Sequence, residues 1–154
     1  MPPSHSFTHE AMNTTFHLRI RVPEKGVADG MARECFDHID FLESRLSRFI
    51  DDSDVSRINH LPAGETLYLS EATHQCLLAA IDAYVRTGGL FDITLGRRIE
   101  FLKSKETGDL PPLVGQITIH PDIPAVTCDS PGREIDLGGI GKGFGADRAI
   151  SVLR

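Results

Sequence analysis

Cysteine is scarce in this sequence, and its pattern argues against two kinds of protein. The three cysteines, Cys35, Cys76 and Cys128, are odd in number and widely spaced. Small disulfide-stabilised secreted domains instead carry an even set. The chain has no C-x-x-C pair and no H-E-x-x-H motif, so the ligand spacings of common zinc sites are missing. The pattern predicts buried thiols in a reducing compartment.

Excess positive charge and long hydrophobic runs are absent too. The formal net charge is −6 at pH 7, whereas a general nucleic-acid partner requires clustered lysine and arginine to neutralise phosphates. No apolar run reaches the roughly 20 residues of a membrane-spanning helix. The first ten residues have neither a basic start nor an apolar core, so no signal peptide is recognised. We therefore expect a cytoplasmic protein with no nucleic-acid partner and no membrane segment.

The composition is typical of a globular domain. The chain has 154 residues, of which 40% are hydrophobic and 25% are charged, as in ordinary globular proteins. This length supports one domain with a real hydrophobic core. We interpret residues 1–11 as a tail and residues 12–154 as the domain.

Hydrophobic periodicity predicts a strand and then a long helix at the start of the domain. From Met12 to Val22 apolar and polar residues alternate, and Pro23 ends the pattern. From Val27 to Phe49 apolar residues recur at helical spacing, which predicts the longest helix. A short helix through Asn59 follows, capped from the acidic run Asp51–Asp54.

The rest of the chain alternates between short strands and helices. A strand over Glu65–Leu69 precedes a helix that Ser70 caps and Gly88–Gly89 ends. A helix over 95–102 and a hairpin of residues 116–119 with 125–128 are predicted next. Together these elements predict an α+β fold in which helices pack against a largely antiparallel sheet.

A glycine-rich segment near the end gives the strongest indication of a ligand. We predict a short strand at Ile135 and Leu137, a turn over Gly138–Gly143 and then a helix. Glycine lets backbone amides approach a ligand closely, and the first turn of a helix attracts anions. Lys142 adds a cation. The segment indicates either a phosphate or pyrophosphate site, or a glycine turn that only lets the helix pack tightly.

The segment matches no standard nucleotide motif. Asp136 stands where the phosphate loop G-x-x-x-x-G-K-[ST] requires its first glycine, and Gly143 follows Lys142. Phe144 occupies the third glycine position of the pattern G-x-G-x-x-G. The G-x-S-x-G motif of serine hydrolases is also missing. Function therefore has to be inferred from a combination of weaker motifs.

Three polar sites have an ordinary interpretation beside a functional one. The run Asp51–Asp54 lacks the glycine and glutamate of an EF-hand loop, so a solvated turn or helix cap is favoured over calcium. Asp92, next to Phe91, is either a ligand-orienting carboxylate or a turn cap. Phe49 is predicted to be a core residue and Arg48 to be solvated, unless a ligand lies there.

Four stretches, in this order along the chain, resemble the ApbE family of FAD:protein FMN transferases. They are Met12–Phe16; Leu46–Phe49 with Ser53–Asn59; Thr87–Gly96; and Asp136–Phe144. The resemblance spans essentially residues 10–154. It implies an ApbE-like α+β fold and an enzyme that uses Mg²⁺ to cleave the pyrophosphate of FAD and transfers FMN to a threonine or serine of a target flavoprotein.

The resemblance also implies a set of site residues. Those expected in the flavin and adenine nucleotide pocket are Met12, Phe49, Leu90, Phe91 and Asp92. Asp136 and Lys142 resemble the family's FAD-contacting acid and cation, and Gly139 lies where the family offers a backbone carbonyl to the metal. Mg²⁺, a lysine and backbone amides would neutralise the phosphoryl oxygens during cleavage of a phosphoanhydride. No catalytic residue is assigned.

The chain is shorter than the resemblance implies. Family members continue beyond the glycine stretch, with a second glycine-rich segment and an Asp/Thr motif that supplies most Mg²⁺ ligands. We therefore expect an N-terminal portion that lacks the C-terminal half of the family fold. The expected partners are FAD, a target flavoprotein, and either a second copy or a protein that carries the missing half. The signal and lipid-anchor cysteine of exported members are not seen, which indicates either a cytoplasmic form or a truncated start.

Two other functions stay open on this reasoning. An FAD pyrophosphatase would release FMN and AMP to water, although an aromatic residue at Phe49 favours transfer. A non-catalytic flavin-binding or subunit-interaction module is the alternative from another class.

Overall fold

Five strands and five helices make up the chain, and the computed structural model describes residues 1–154. The strands are β1 (Ser4–Ala11), β2 (Thr14–Arg21), β3 (Thr66–Tyr68), β4 (Gln116–Ile119) and β5 (Ala125–Ser130). The helices are α1 (Lys25–Leu46), α2 (Asp54–Asn59), α3 (Glu71–Arg86), α4 (Gly96–Ser104) and α5 (Gly141–Val152). The architecture is α+β, and all its strand pairs are antiparallel, as predicted. None of the helices has the length and apolar character needed to cross a bilayer.

The chain divides into two units. Residues Met1–Ser44 and Gly141–Arg154 form the first, and Arg45–Ile140 form the second. In the first unit, β1 and β2 pair from Ser4↔Arg21 to Ala11↔Thr14. The two residues between them, Met12 and Asn13, have φ of 51° and 57°. Positive φ at both positions is the pattern of the two-residue hairpin turn that matches the natural twist of paired strands.

The predicted tail over residues 1–11 is wrong for Ser4–Ala11, which form β1. The alternation is hard to see in the sequence because two of the inward positions are histidines. His5 Nε2 donates to the Val22 carbonyl at 3.1 Å. His9 stacks on Phe36 with centroids 4.8 Å apart, and its Nε2 lies 2.6 Å from Asp40 Oδ1. These partners satisfy polar side chains on a half-buried face, which periodicity alone does not reveal.

Two groups of buried side chains form the core of the first unit. One consists of Ala11, Cys35, Ile39 and Ala149, and the other of Ile20, Ala28 and Ala32. Cys35 Sγ donates to the Ala149 carbonyl at 3.2 Å, which ties α1 to α5. Burial raises the pKa of the Cys35 thiol, and the charge of Glu34 adds to the effect. The protonated thiol is therefore the form that this contact requires.

The second unit contains the sheet β3-β5-β4 together with α2, α3 and α4. The predicted hairpin of β4 and β5 is confirmed. The buried apolar side chains of the second unit are Leu46, Val55, Ile58, Leu67, Leu69, Cys76, Leu77, Ala80, Ile93, Ala125, Val126, Cys128, Ile135 and Leu137. None of the three cysteines of the chain forms a disulfide, and all are buried, as predicted.

Two serine caps and one buried aspartate join α2 to α3. Ser53 accepts from the Ser56 amide, and Ser70 accepts from the Thr73 amide, so the α3 cap is confirmed. Asp54, which is 2% exposed, accepts three hydrogen bonds at Oδ2. Its donors are the Ser70 amide at 3.0 Å, the Ser70 hydroxyl at 2.7 Å and the Thr73 hydroxyl at 2.7 Å. The last aspartate of the acidic run is therefore a buried connector and not a solvated turn residue.

We expect Asp54→Ala to destabilise the protein by roughly 3 kcal/mol, because it removes the buried acceptor of three hydrogen bonds from Ser70 and Thr73. Urea denaturation measures the change. The control is Asp52→Ala at an exposed position of the same run, which should shift stability by less than about 0.5 kcal/mol. Equal losses in the two variants would show that the buried connector has no special role.

Candidate functional site

The residues that the sequence assigns to a site lie in both units. Met12 and Lys142 belong to the first unit. Phe49, the Leu90–Asp92 segment, Asp136 and Gly139 belong to the second.

Met12 occupies the hairpin turn of the first unit in a restrained conformation. Its φ is 51°, which is uncommon outside glycine and costs free energy unless the surroundings hold it. Its amide donates to Glu43 Oε1 at 2.8 Å. Its methyl group lies against α5, since a Cβ added to Gly145 would be 3.3 Å from Met12 Cε. The turn is thus fixed by α1 on its backbone side and by α5 on its side-chain side.

Lys142 is the second residue of α5, and this corrects the predicted turn over Gly138–Gly143. The helix begins at Gly141, so Gly141 and Gly143 are helical and the turn is confined to residues 138–140. Packing of Gly145 on Met12 supports helix in spite of the low propensity of glycine. The first turn has no acidic residue and Lys142 is exposed. This helix end therefore combines a cation with unpaired amides, which suits an anion.

The segment Glu134–Leu137 is the central feature of the second unit, and it corrects the strand predicted at Ile135 and Leu137. It joins no sheet, and its only ladder contact is an isolated parallel bridge between Glu134 and Leu95. Its backbone bonds on one side to the side chain of Asn59, which accepts from the Ile135 amide at 2.7 Å and donates to the Ile135 carbonyl at 3.0 Å.

On its other side the same segment bonds to the chain that leads into α4. The Asp136 amide donates to the Ile93 carbonyl at 2.8 Å, and the Gly96 amide donates to the Glu134 carbonyl at 3.1 Å. A Cβ added to Gly96 would lie 2.9 Å from the Glu134 carbonyl oxygen. Glycine is therefore needed at position 96 for the two backbones to come this close.

Asp136 uses both carboxylate oxygens. Oδ1 accepts from the Gly138 amide at 2.7 Å, which starts the turn that ends with the Ile140 amide donating to the Leu137 carbonyl at 3.0 Å. Oδ2 lies 3.2 Å from Arg48 Nε. The carboxylate thus connects a glycine turn to a guanidinium.

The structure reverses the predicted environments of Arg48 and Phe49. The Arg48 side chain is 8% exposed and faces Glu100 at 3.4 Å and Glu134 at 3.7 Å. Phe49 is 76% exposed. The reason is that α1 ends at Leu46, so Phe49 no longer follows the apolar stripe of the helix. The guanidinium lies 4.7 Å from the centroid of the Phe49 ring, which gives a cation–π contact.

Phe91 lies against the glycine turn. Its amide donates to Thr87 Oγ1 at 2.9 Å, and a Cβ added to Gly139 would be 3.0 Å from Phe91 Cε2. Leu90, beside it, is 91% exposed. Glycine at position 139 therefore leaves room for the aromatic ring.

Asp92 caps a turn, which is the ordinary one of its two interpretations. Its Oδ1 accepts from the Thr94 amide at 2.8 Å and from the Thr94 hydroxyl at 2.7 Å. It also borders a cavity of about 460 Å³ in the second unit. The other lining residues are Ala80, Ile81, Tyr84, Ile93, Thr94, Gly115, Gln116, Ile117, Ile119 and Arg133.

Four of the predicted residues form one series of contacts in the second unit: Phe49, Asp136, Gly139 and Phe91. They are joined through Arg48 and the Gly138 turn. Sequence reasoning assigned no role to Arg48 and missed the bonding of Asn59. Both residues lie inside stretches that carry the family resemblance, and this was the only signal for them.

A complete magnesium site is not formed by these residues. The structure contains no group of three or more His, Cys, Asp or Glu side chains that could hold a metal ion. Near Gly139, both oxygens of Asp136 are already engaged by Gly138 and Arg48. The Gly139 carbonyl could supply one ligand, whereas Mg²⁺ prefers six oxygen ligands.

We expect Gly96→Ala to lower stability by roughly 2 kcal/mol, because a methyl group there meets backbone atoms that cannot move aside easily. Thermal or urea denaturation measures the effect. The matched control is Gly30→Ala in α1, where an added Cβ meets nothing within 4 Å. That change should raise stability by roughly 0.5–1 kcal/mol. A neutral Gly96→Ala variant would contradict the close approach of the two backbones.

Several solved structures share this fold. The ApbE protein of Thermotoga maritima matches with a TM-score of 0.79 and 22% identity, over 97% of this chain and 52% of that one. The flavin transferase ApbE of Vibrio cholerae matches with a TM-score of 0.77 and 21% identity, over 98% and 53%. The apo flavinyl transferase ApbE of Pseudomonas stutzeri matches with a TM-score of 0.75 and 23% identity, also over 98% and 53%.

The chain spans about half the length of these solved proteins. At such identities the likeness shows the fold. A comparison with curated proteins gave no match. A sequence model of the ApbE family matches residues 12–154, and the chain therefore belongs to the ApbE family.

Proposed function

We propose that this chain binds the flavin nucleotide of an FAD:protein FMN transferase. The observation that carries the proposal is the convergence, within the second unit, of three stretches that are far apart in sequence. They supply Arg48 with Phe49, then Phe91, then Asp136 with Gly139. Membership of the ApbE family supports the same function.

The aromatic part of the ligand is assigned to the second unit. Phe49 has one ring face against Arg48 and is otherwise exposed, so a planar ring system can stack on it. Such contacts contribute roughly 0.5–1.5 kcal/mol beyond the buried area. Leu90 and Phe91, from another stretch of the same unit, add apolar surface. We assign Asp92 to orientation of the ligand, with its carboxylate held by Thr94.

A separate anion-binding role is assigned to the first unit. Lys142 and the amides at the start of α5 offer positive charge with no acidic residue in the first helical turn. Met12, held at the hairpin turn by Glu43, is assigned to the nucleotide pocket. The two sets of contacts are proposed independently of each other.

Transfer of FMN to a target flavoprotein, with Mg²⁺, is the wider reaction that we propose from the family. We assign the Gly139 carbonyl as a ligand to the metal. A protein or second copy that supplies the other half of the family fold, and a cytoplasmic location, stay predictions from the sequence.

We expect the purified chain to bind FAD and Lys142→Ala to weaken binding about tenfold, or about 1.4 kcal/mol. Removal of the cation leaves the pyrophosphate charge less neutralised, so the loss should shrink at high salt. Quenching of FAD fluorescence during titration measures the affinity. The control is Lys103→Ala, an exposed lysine of α4, which should change affinity less than twofold.

Absence of FAD binding by the wild-type chain, with and without Mg²⁺, would reject the proposed function. Unchanged affinity in Lys142→Ala would reduce the start of α5 to a structural element.

A further inference from the structure

We infer that Arg48 is a positioning residue for flavin binding, because its buried guanidinium fixes Asp136 and, through Asp136, the turn over residues 138–140. The inference rests on the proposed function. It assigns a role to a residue that the sequence predicted to be solvated.

Arg48 is surrounded by acidic groups. Its side chain is 8% exposed, and it faces Glu100 at 3.4 Å, Glu134 at 3.7 Å and Asp136 at 3.2 Å. The only other cation paired within this group is Arg97, whose Nε lies 3.3 Å from Glu134 Oε1. Without Arg48, three carboxylates would face one exposed arginine. Glu134 would keep Arg97, and Glu100 is 63% exposed to solvent. The repulsion would therefore act most strongly on Asp136, which is 12% exposed and has no other cation.

Asp136 transmits this constraint to the backbone. One oxygen faces Arg48 and the other accepts from the Gly138 amide, so rotation of the carboxylate would break the bond that starts the turn. The contact is also close, since a Cβ added to Gly138 would lie 2.9 Å from Asp136 Oδ1. Gly139, the next residue, packs on the Phe91 ring. A change at Arg48 should therefore reach the proposed metal carbonyl and an aromatic wall of the pocket.

The geometry favours arginine over lysine at this position. Nη1 faces Glu100 and Glu134, Nε faces Asp136, and the guanidinium plane lies by the Phe49 ring. A planar fork serves these directions together, whereas an ammonium group is a single point of charge. Arg48 Nε is buried without a well-aligned hydrogen bond, so its pairing with Asp136 depends on charge and distance.

The experiment compares Arg48→Gln and Arg48→Lys with Arg97→Gln as the matched control. Arg97 shares Glu134 with Arg48, but it pairs with neither Asp136 nor Phe49 and is 47% exposed. FAD affinity is measured by fluorescence titration, and hydrogen exchange of the Gly138 amide is measured by NMR without ligand. We expect Arg48→Gln to weaken FAD binding at least tenfold and to accelerate Gly138 exchange. Arg48→Lys should be intermediate, and Arg97→Gln should change both quantities less than twofold.

The pairing is tested by the double variant Arg48→Gln/Asp136→Asn. If Arg48 acts through Asp136, the double variant binds FAD about as weakly as the weaker single variant, because the same contact is lost only once. Losses that multiply would overturn the inference, as would wild-type affinity and wild-type Gly138 exchange in Arg48→Gln. If Arg48 were purely structural, its substitution would lower the melting temperature, and no coupling between Arg48 and Asp136 would appear in FAD binding.

If Arg48→Gln does not fold, Arg48→Lys and Asp136→Asn carry the test, and wild-type Gly138 exchange in both would overturn the inference. If the wild-type chain binds no FAD, the proposed function fails and takes the binding role of Arg48 with it. Gly138 exchange would then still report whether Arg48 holds the turn, so the two failures are distinguishable.

Discussion

The bonding of the Glu134–Leu137 segment is the constraint on which the second unit depends. This segment has buried apolar side chains at Ile135 and Leu137. Its backbone bonds to residues 93–96 on one side but has no neighbouring strand on the other. Asn59 replaces that strand by offering a donor and an acceptor to the two polar groups of Ile135. Buried backbone groups without partners would cost about 1–3 kcal/mol each. The Asn59 side chain removes this cost, so the segment can cross the core without a neighbouring strand on that side.

The path of that segment determines where charge is concentrated. With Ile135 and Leu137 turned into the core, Asp136 points the other way, as alternate residues of an extended chain must. There it meets Arg48, together with Glu100 and Glu134. Burial of charges is unfavourable unless each finds a partner of opposite sign. Such a cluster therefore supports specific geometry better than it supports stability, and this fits a place beside a ligand.

Part of this arrangement could be predicted from the sequence. Periodicity and caps located β2, α3 and the β4–β5 hairpin because their signals are local. The strand Ser4–Ala11 was not predicted, because His5 and His9 lie on its inward face and their partners are distant in sequence. Arg48 was predicted to be exposed and Phe49 to be buried, and the structure shows the reverse. The prediction failed because the end of α1 at Leu46 depends on tertiary contacts. The site motifs were found by resemblance, whereas the bonds that join them link residues far apart in sequence and arise only in the fold.

The glycines from 138 to 145 now separate into two classes. Gly138, Gly139 and Gly145 each have a side chain within 3.3 Å of an added Cβ, so packing accounts for them. At Gly141 and Gly143 an added Cβ meets nothing within 4 Å, although both lie in the first turn of α5. Glycine disfavours a helix by up to about 1 kcal/mol per residue relative to alanine, and no contact within the chain explains the choice. Local rules are most often broken at functional positions. Gly141 is buried, whereas Gly143 is exposed beside Lys142. An exposed amide without a side chain is what close approach of a phosphate requires, so Gly143 favours a binding role for the helix end over a purely structural one.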